Sequence, residues 1–287
     1  MRDTGAVRRR TLLASTAAVL CGCSTGRDTP PGSPSTGAAT PGGPTASSAQ
    51  PGRSGAGSFV SAHRRTSVKY RWCLPQGHAS ASGMPVVIAL HGFGGDADWM
   101  MDLGFPALLD AVVRDGARPF GYVTVDGGPR SYYHPRADGT DAGAMVIGEL
   151  LPKLKSAGFD ISRLGLCGFS MGGFGALRLA ATYRSQVRAA AATAPAVWTR
   201  AGDSPPVAFD SADDWRTHGL MADPTVLQGI PLRIDCGLDD PFAPAVRTLR
   251  SRLTPTPAGG MSPGGHTADF VRTHLPAQLR FLADRLR

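Results

Sequence analysis

The run Pro85-Val-Val-Ile-Ala-Leu90 sets six apolar residues in a row with no polar residue between them. A strand with one wet face alternates, so a continuous run of this length predicts a strand covered on both sides, in a mostly parallel sheet. The rest of the chain keeps that rhythm. Residues 68–74, 121–125, 164–167, 187–192 and 232–236 read as further strands. Between and after them, residues 108–113, 146–154, 171–183 and 242–253 have helical patterns. A last amphipathic helix, begun near Pro276, carries Leu275, Leu279, Leu282 and Leu286. Such alternation predicts an α/β fold, a mostly parallel central sheet with helices on both faces.

Only part of the 287 residues belongs to that fold. Arg8-Arg9-Arg10 precedes the short apolar run 11–20, a charged region and then a hydrophobic one, as in an export signal. The run is well short of the roughly 20 residues that span a bilayer. Arg9-Arg10-Thr11-Leu12-Leu13 resembles a twin-arginine signal, and Leu20-Cys21-Gly22-Cys23 resembles a bacterial lipobox. By that resemblance residues 1–22 are removed and Cys23 carries the lipid. Residues 23–57 are almost all Pro, Gly, Ser, Thr and Ala, which offer no large side chain whose burial could offset ordering. They read as a stalk, leaving residues 58–287 as the folded domain. The expected address is the outer face of the cytoplasmic membrane or the cell envelope, with the lipid as the sole membrane contact.

The formal net charge of +8 includes +3 from residues 1–22, where Arg2, Arg8, Arg9 and Arg10 outweigh Asp3. The remaining arginines are scattered without interleaved aromatics, which argues against nucleic-acid binding. Cys73, Cys167 and Cys236 fall in expected strands and read as buried thiols, although an oxidising compartment permits one disulfide.

Gly-x-Ser-x-Gly occurs three times, around Ser24, Ser170 and Ser262. The first straddles the expected cleavage site and the last lies in a Pro/Gly-rich loop. Only Gly168-Phe-Ser170-Met-Gly172 follows an expected strand and opens an expected helix. At such an elbow the serine sits on a strained turn and its neighbours must be small, which Gly168, Gly172 and Gly173 satisfy. A serine nucleophile needs a base and an orienting acid, which in this architecture follow it in the order acid, histidine. His266, in the turn 263–267 before the last helix, is the base of choice. His218 and His274 read as surface residues. Asp239 and Asp240 both lie in the loop after the 232–236 strand, and spacing does not separate them. Asp235, inside the strand, reads as structural.

At these residues the chain resembles the esterase D family and its relatives: S-formylglutathione hydrolases, feruloyl and acetylxylan esterases, and the mycobacterial antigen 85 proteins. The resemblance rests on Leu90-His-Gly-Phe-Gly-Gly95, Tyr132-Tyr-His134 through Glu149-Leu-Leu-Pro152, Gly168–Gly173, Asp235-x-Gly-x-x-Asp-x-Phe242 and Gly264-Gly-His266. It implies the α/β-hydrolase fold and selects Asp240 over Asp239. It also implies an oxyanion hole from the backbone N–H groups of Phe93 and Met171, with His91 and Gly92 shaping the loop that carries Phe93. One departure stands out: where the family has an apolar strand before the histidine, this chain has the proline-broken 253–261 segment, expected to be an edge strand or loop.

The function expected is hydrolysis of an acyl ester, small or borne by a polysaccharide or lipid, through Ser170, His266 and Asp240. No metal or cofactor is expected. Acyl transfer to a sugar acceptor and amide hydrolysis use the same residues, and a non-catalytic envelope-binding protein is the reading from another class. Trp198 and Trp215, in the segment 195–221 expected to cap the site, line a substrate pocket or belong to the core.

Overall fold

The computed structural model describes residues 52–287; the expected signal, the Cys23 anchor and most of the stalk lie outside the described residues. β1 (Ser54–Ser61) and β2 (Thr66–Cys73) form an antiparallel hairpin, and β2 runs antiparallel to β4 (Gly121–Val125). β3 (Pro85–Leu90), β5 (Asp160–Phe169), β6 (Val187–Thr193), β7 (Leu232–Gly237) and a two-residue β8 (Met261–Ser262) continue the sheet in parallel. The strand order is β1-β2-β4-β3-β5-β6-β7-β8. All six residues of β3 are buried, as their unbroken apolar run requires.

The helices are α1 (Ala97–Met101), α2 (Phe105–Arg114), α3 (Ala142–Ala144), α4 (Leu151–Ser156), α5 (Met171–Thr182), α6 (Ala212–His218), α7 (Ala243–Ser251) and α8 (Ala268–Arg285). A π-helical stretch, Met145–Leu150, joins α3 to α4. Two residues of β5, three positions apart, show that both faces are covered. Gly165 faces Leu282 and Leu286 near the end of the chain, whereas Gly168 lies against the backbone of α5. Leu275, Leu279, Leu282 and Leu286 are buried, so the expected apolar stripe faces the sheet.

Two boundaries differ from expectation. β1 begins at Ser54, four residues before the expected start of the folded domain at residue 58. Its glycines are what disguised it: a Cβ on Gly55 would come within 2.6 Å of the Trp72 ring, and one on Gly57 within 2.5 Å of Tyr70. The two aromatics of β2 lie across a strand that must lack side chains there. The last helix begins at Ala268, well before Pro276, because the Thr267 side chain caps it by accepting the Phe270 N–H at 3.2 Å. Pro276 therefore sits inside the helix, and the carbonyl that loses its partner belongs to the exposed Arg272.

Candidate active site

β5 ends at Phe169 and α5 begins at Met171, so the turn between them is the single residue Ser170. Its φ of 55° and ψ of −116° lie outside the regions side chains favour. The surroundings hold it there. The Ser170 N–H donates to the Thr193 carbonyl at 3.0 Å, and its own carbonyl accepts from Phe174 at 2.9 Å and Ala196 at 3.0 Å. A Cβ on Gly168 would collide with the Gly172 carbonyl, and one on Gly172 with the Leu90 carbonyl oxygen. On Gly173 it would meet the Pro195 Cα at 3.1 Å. The strain at Ser170 falls on a residue that lines a cavity, a pattern typical of functional positions. Ser170 is 7% exposed.

From the other side, the loop after β7 supplies Asp240 and the loop before α8 supplies His266. Asp240 is buried; its Oδ1 accepts the Phe242 N–H at 2.8 Å and its Oδ2 lies 2.7 Å from His266 Nδ1. The neighbouring Asp239 is exposed and joins the same loop only by its backbone N–H, 3.0 Å from the Gly264 carbonyl. The His266 ring lies between Phe169, centroid 4.6 Å away, and Phe242 at 5.4 Å. His266 and Ser170 line one cavity of about 430 Å³ with the loop 92–95, Trp99 and Phe169.

That loop is set by His91, which is wholly buried. Its Nε2 accepts the Gly127 N–H at 3.1 Å, so Nδ1 carries the proton and donates to the Gly92 carbonyl at 2.8 Å. Burial lowers its pKa, opposed by the Gly92 bond, and the ring is neutral at neutral pH. Gly94 donates to the Pro129 carbonyl and Gly95 to the Gly92 carbonyl, at 2.9 and 3.1 Å. Among the described residues no backbone carbonyl outside the regular elements takes the N–H of Phe93 or Met171. Met171 is the first residue of α5, where N–H groups have no partner within the helix. A Cβ on Gly92 would press on Phe169 at 3.2 Å.

Other expected residues fall elsewhere. His218 is not a free surface residue: its Nδ1 bonds Asp214 Oδ1 at 2.6 Å and its ring stacks on the buried His134 at 4.9 Å. His274 likewise ties α8 to β8, donating from Nδ1 to the Phe270 carbonyl and accepting from the Ser262 hydroxyl at Nε2, both at 2.9 Å. Asp235 is structural as expected, gripped by Arg233 at 2.8 and 3.0 Å and by Gln278 at 3.0 Å. Trp198 packs among Tyr132, Phe209 and Phe242, and Trp215 lies against Gly219. Neither lines the Ser170 cavity. The walls that sequence reasoning missed are Trp99 and Phe169, stacked at 6.1 Å. Trp99 is 37% exposed on a short helix capped by Asp96, an exposure that the sequence alone does not show.

Cys73, Cys167 and Cys236 are buried free thiols, each pushed up to about 12 by burial and inert at neutral pH. His134, Asp214 and His218 bring ligand-type atoms within 4.8 Å of one another. Their geometry is that of a hydrogen-bonded cluster: His134 also meets the Pro135 and Ala208 carbonyls at 2.9 and 2.8 Å.

The sheet order and the strained strand-to-helix serine define an α/β-hydrolase. Residues 61–254, about two-thirds of the length, match the family described as "Putative esterase", and the chain belongs to that family of ester-cleaving serine hydrolases. No curated protein sequence matches it. Among solved structures it is similar to a ferulic acid esterase from Anaeromyces mucronatus, with TM-score 0.64, 20% identity, and 84% of this chain and 94% of that one covered. An S-formylglutathione hydrolase from Agrobacterium tumefaciens aligns with TM-score 0.62 and 20% identity, covering 84% and 98%. Mycobacterium tuberculosis MPT51 aligns with TM-score 0.63 and 13% identity, covering 80% and 99%.

Proposed function

We propose that the protein is an exported, lipid-anchored carboxylesterase working through Ser170, His266 and Asp240. The observation that carries the reading is the 2.7 Å bond between Asp240 and His266 Nδ1, in the cavity that holds the strained Ser170. With Nδ1–H donated to the carboxylate, Nε2 is the free base. Ser170 Oγ attacks the ester carbonyl as its proton passes to Nε2. The carbonyl oxygen becomes an anion facing the N–H groups of Phe93 and Met171, where the N-terminal end of α5 adds partial positive charge. Collapse of the tetrahedral adduct expels the alcohol, protonated by His266. Water, deprotonated by the same nitrogen, then releases the acid from Ser170. The aromatic walls Phe93, Trp99 and Phe169 suit an apolar acyl or alcohol group.

Hydrolysis of 4-nitrophenyl acetate and butyrate tests the reading, beside Ser170→Ala and His266→Ala. Each substitution is expected to lower kcat/KM on the order of 10⁴-fold or more. A folded protein that neither turns over these esters nor reacts with a fluorophosphonate overturns it. The anchor rests on the lipobox resemblance at Cys23, and Cys23→Ser is expected to move the protein from the membrane fraction to the soluble one.

A further inference from the structure

We propose that Arg64 and Arg130 form an anion subsite beside the Ser170 cavity, which holds a carboxylate or phosphate carried by the ester substrate. The inference rests on the esterase reading for the identity of the ligand, not for the existence of the subsite.

A second cavity, of about 290 Å³, opens between the β1–β2 turn and the segment 129–140; Arg64, Arg130, Ser131 and Arg136 contribute to its lining. It adjoins the first. The Arg130 guanidinium carbon lies 5.7 Å over the Phe93 ring, which lines the Ser170 cavity, and the Gly94 N–H donates to the carbonyl of Pro129. Phe93 is 50% exposed and forms the partition.

The charges lining this cavity do not cancel locally. Arg136 is clamped by Asp210, at 2.6 Å from Nη2 and 3.2 Å from Nε. Asp138 is taken by Thr140, whose N–H and hydroxyl donate to it at 2.8 and 2.7 Å. Asp126, nearby, accepts the Gly128 N–H at 2.9 Å. Three guanidiniums thus face two lining carboxylates, and among the described residues neither Arg64 nor Arg130 has a carboxylate within 4 Å. Arg64 Nε is buried with no hydrogen-bond partner. A desolvated guanidinium N–H without an acceptor is costly and uncommon, and marks a cation that the protein's own groups leave unmet.

Arg64 is also held in place. Glu149, on the π-helical stretch, accepts the Ser61 hydroxyl and the N–H groups of Ala62 and His63, the latter two at 2.8 and 3.3 Å. One carboxylate thereby fixes the whole β1–β2 turn, and Ser61 Oγ in turn accepts the Arg64 N–H at 2.9 Å. The guanidinium lies across Gly128, which has φ 89° and where any Cβ would collide with it. A planar cation held this way loses little freedom when it grips an oxyanion, the geometry suited to carboxylate or phosphate. Beyond Ser131 the backbone is strained at Tyr132 and Tyr133, with φ 50° and 53°, as at other ligand-shaping segments.

The test compares 4-nitrophenyl butyrate with matched acidic esters: 4-nitrophenyl succinate and its phosphonate analogue for the acyl side, the butyryl esters of 4-hydroxybenzoate and 4-hydroxyphenyl phosphate for the alcohol side. At least one acidic ester is expected to exceed its neutral counterpart in kcat/KM. That ratio is expected to fall about tenfold in Arg64→Gln and in Arg130→Gln, to recover partly in Arg130→Lys, and to shrink with salt. Which ester responds distinguishes carboxylate from phosphate. A ratio unmoved in both variants overturns the proposal while leaving the esterase reading intact. Calorimetric titration of the protein with inorganic phosphate and with succinate reads the subsite without catalysis. Saturable binding that the double variant loses supports it even if no ester is cleaved; no binding of either anion to the parent overturns it. Arg130 is exposed, so its variants keep the test open should Arg64→Gln fail to fold.

Discussion

The elbow at 168–173 and the histidine loop at 253–266 bring Ser170 and His266 to one cavity by opposite means. At the elbow, packing is backbone against backbone. Gly168, Gly172 and Gly173 each face main-chain atoms of a neighbouring segment, and no side chain is asked to hold the turn. The histidine loop hangs largely on one long side chain. Arg250 donates to the carbonyls of Ile234, Pro257, Ala258 and Gly259 at 2.6 to 3.1 Å, fastening a proline-broken segment to β7. Local sterics therefore fix the nucleophile, while a guanidinium fastens the segment that leads to the base.

The largest expected effect sharpens that contrast at the junction between the two. Asp240→Asn leaves the elbow untouched but reverses the hydrogen-bond preference at His266 Nδ1. It is expected to lower kcat on the order of 10⁴-fold with little loss of stability. Steady-state kinetics beside a thermal melt check it, and a loss under tenfold breaks the proposed role of Asp240.

Gly172→Ala attacks the elbow itself. The new methyl meets the Leu90 carbonyl, and neither backbone can yield without moving β3 or α5. A destabilisation of about 3 kcal/mol is expected, roughly 6–12 °C in Tm, together with loss of fluorophosphonate labelling. A melt within 2 °C of the parent would show that the elbow has slack, and the comparison would lose its first half.

These two regions also explain what the sequence made legible. Elbow sterics are written in five consecutive residues, and since that pattern recurs at Ser24 and Ser262, the apolar strand before Ser170 and the helix after it made the choice without any structure. The six apolar residues of β3 were equally explicit. β1 was not, because a strand whose glycines lie under Trp72 and Tyr70 has the composition of a linker. The choice between Asp239 and Asp240 was invisible to spacing, since it depends on which of two adjacent side chains turns inward. Arg250 gave no signal at all: a lone arginine on α7 reads as solvated until its four carbonyls are known. Trp99 was hidden for a similar reason, as its role depends on Phe169 across the cavity.

Arg250→Met probes that second mode of support. It keeps the apolar stem and strips the donors, leaving carbonyls of the 257–259 segment and of Ile234 to find water. About 2 kcal/mol of stability is expected to be lost, with a reduced kcat as His266 loses its register. Retention of parent kcat at lowered Tm would show that Asp240 alone is enough to place His266.

A smaller effect should appear on acidification. His91 and His134 both have pKa values lowered by burial, so the native state binds their protons less readily than the unfolded chain. Their contribution to stability is present above the ordinary value of 6.5 and is lost as pH falls through the lower native values. Melts below pH 6.5 are expected to decline, and His91→Asn is expected to flatten part of that slope. An unchanged slope in the variant would show that the ring at the base of the 92–95 loop does not titrate with unfolding.

The smallest effect is the most pointed. Asp239→Asn is expected to stay within about twofold of the parent in kcat/KM, because an exposed charge at a loop edge is worth little. Asp239 and Asp240 are adjacent, the same residue type and in the same loop. What separates them is that Asp240 is buried with two oxygens engaged, whereas Asp239 contributes its backbone N–H to Gly264. Asparagine preserves that N–H, so the loop should keep its shape. If Asp239→Asn were instead as damaging as Asp240→Asn, the loop would act as one electrostatic unit. The base would then be oriented by a field spread over the turn, not by a single bonded carboxylate.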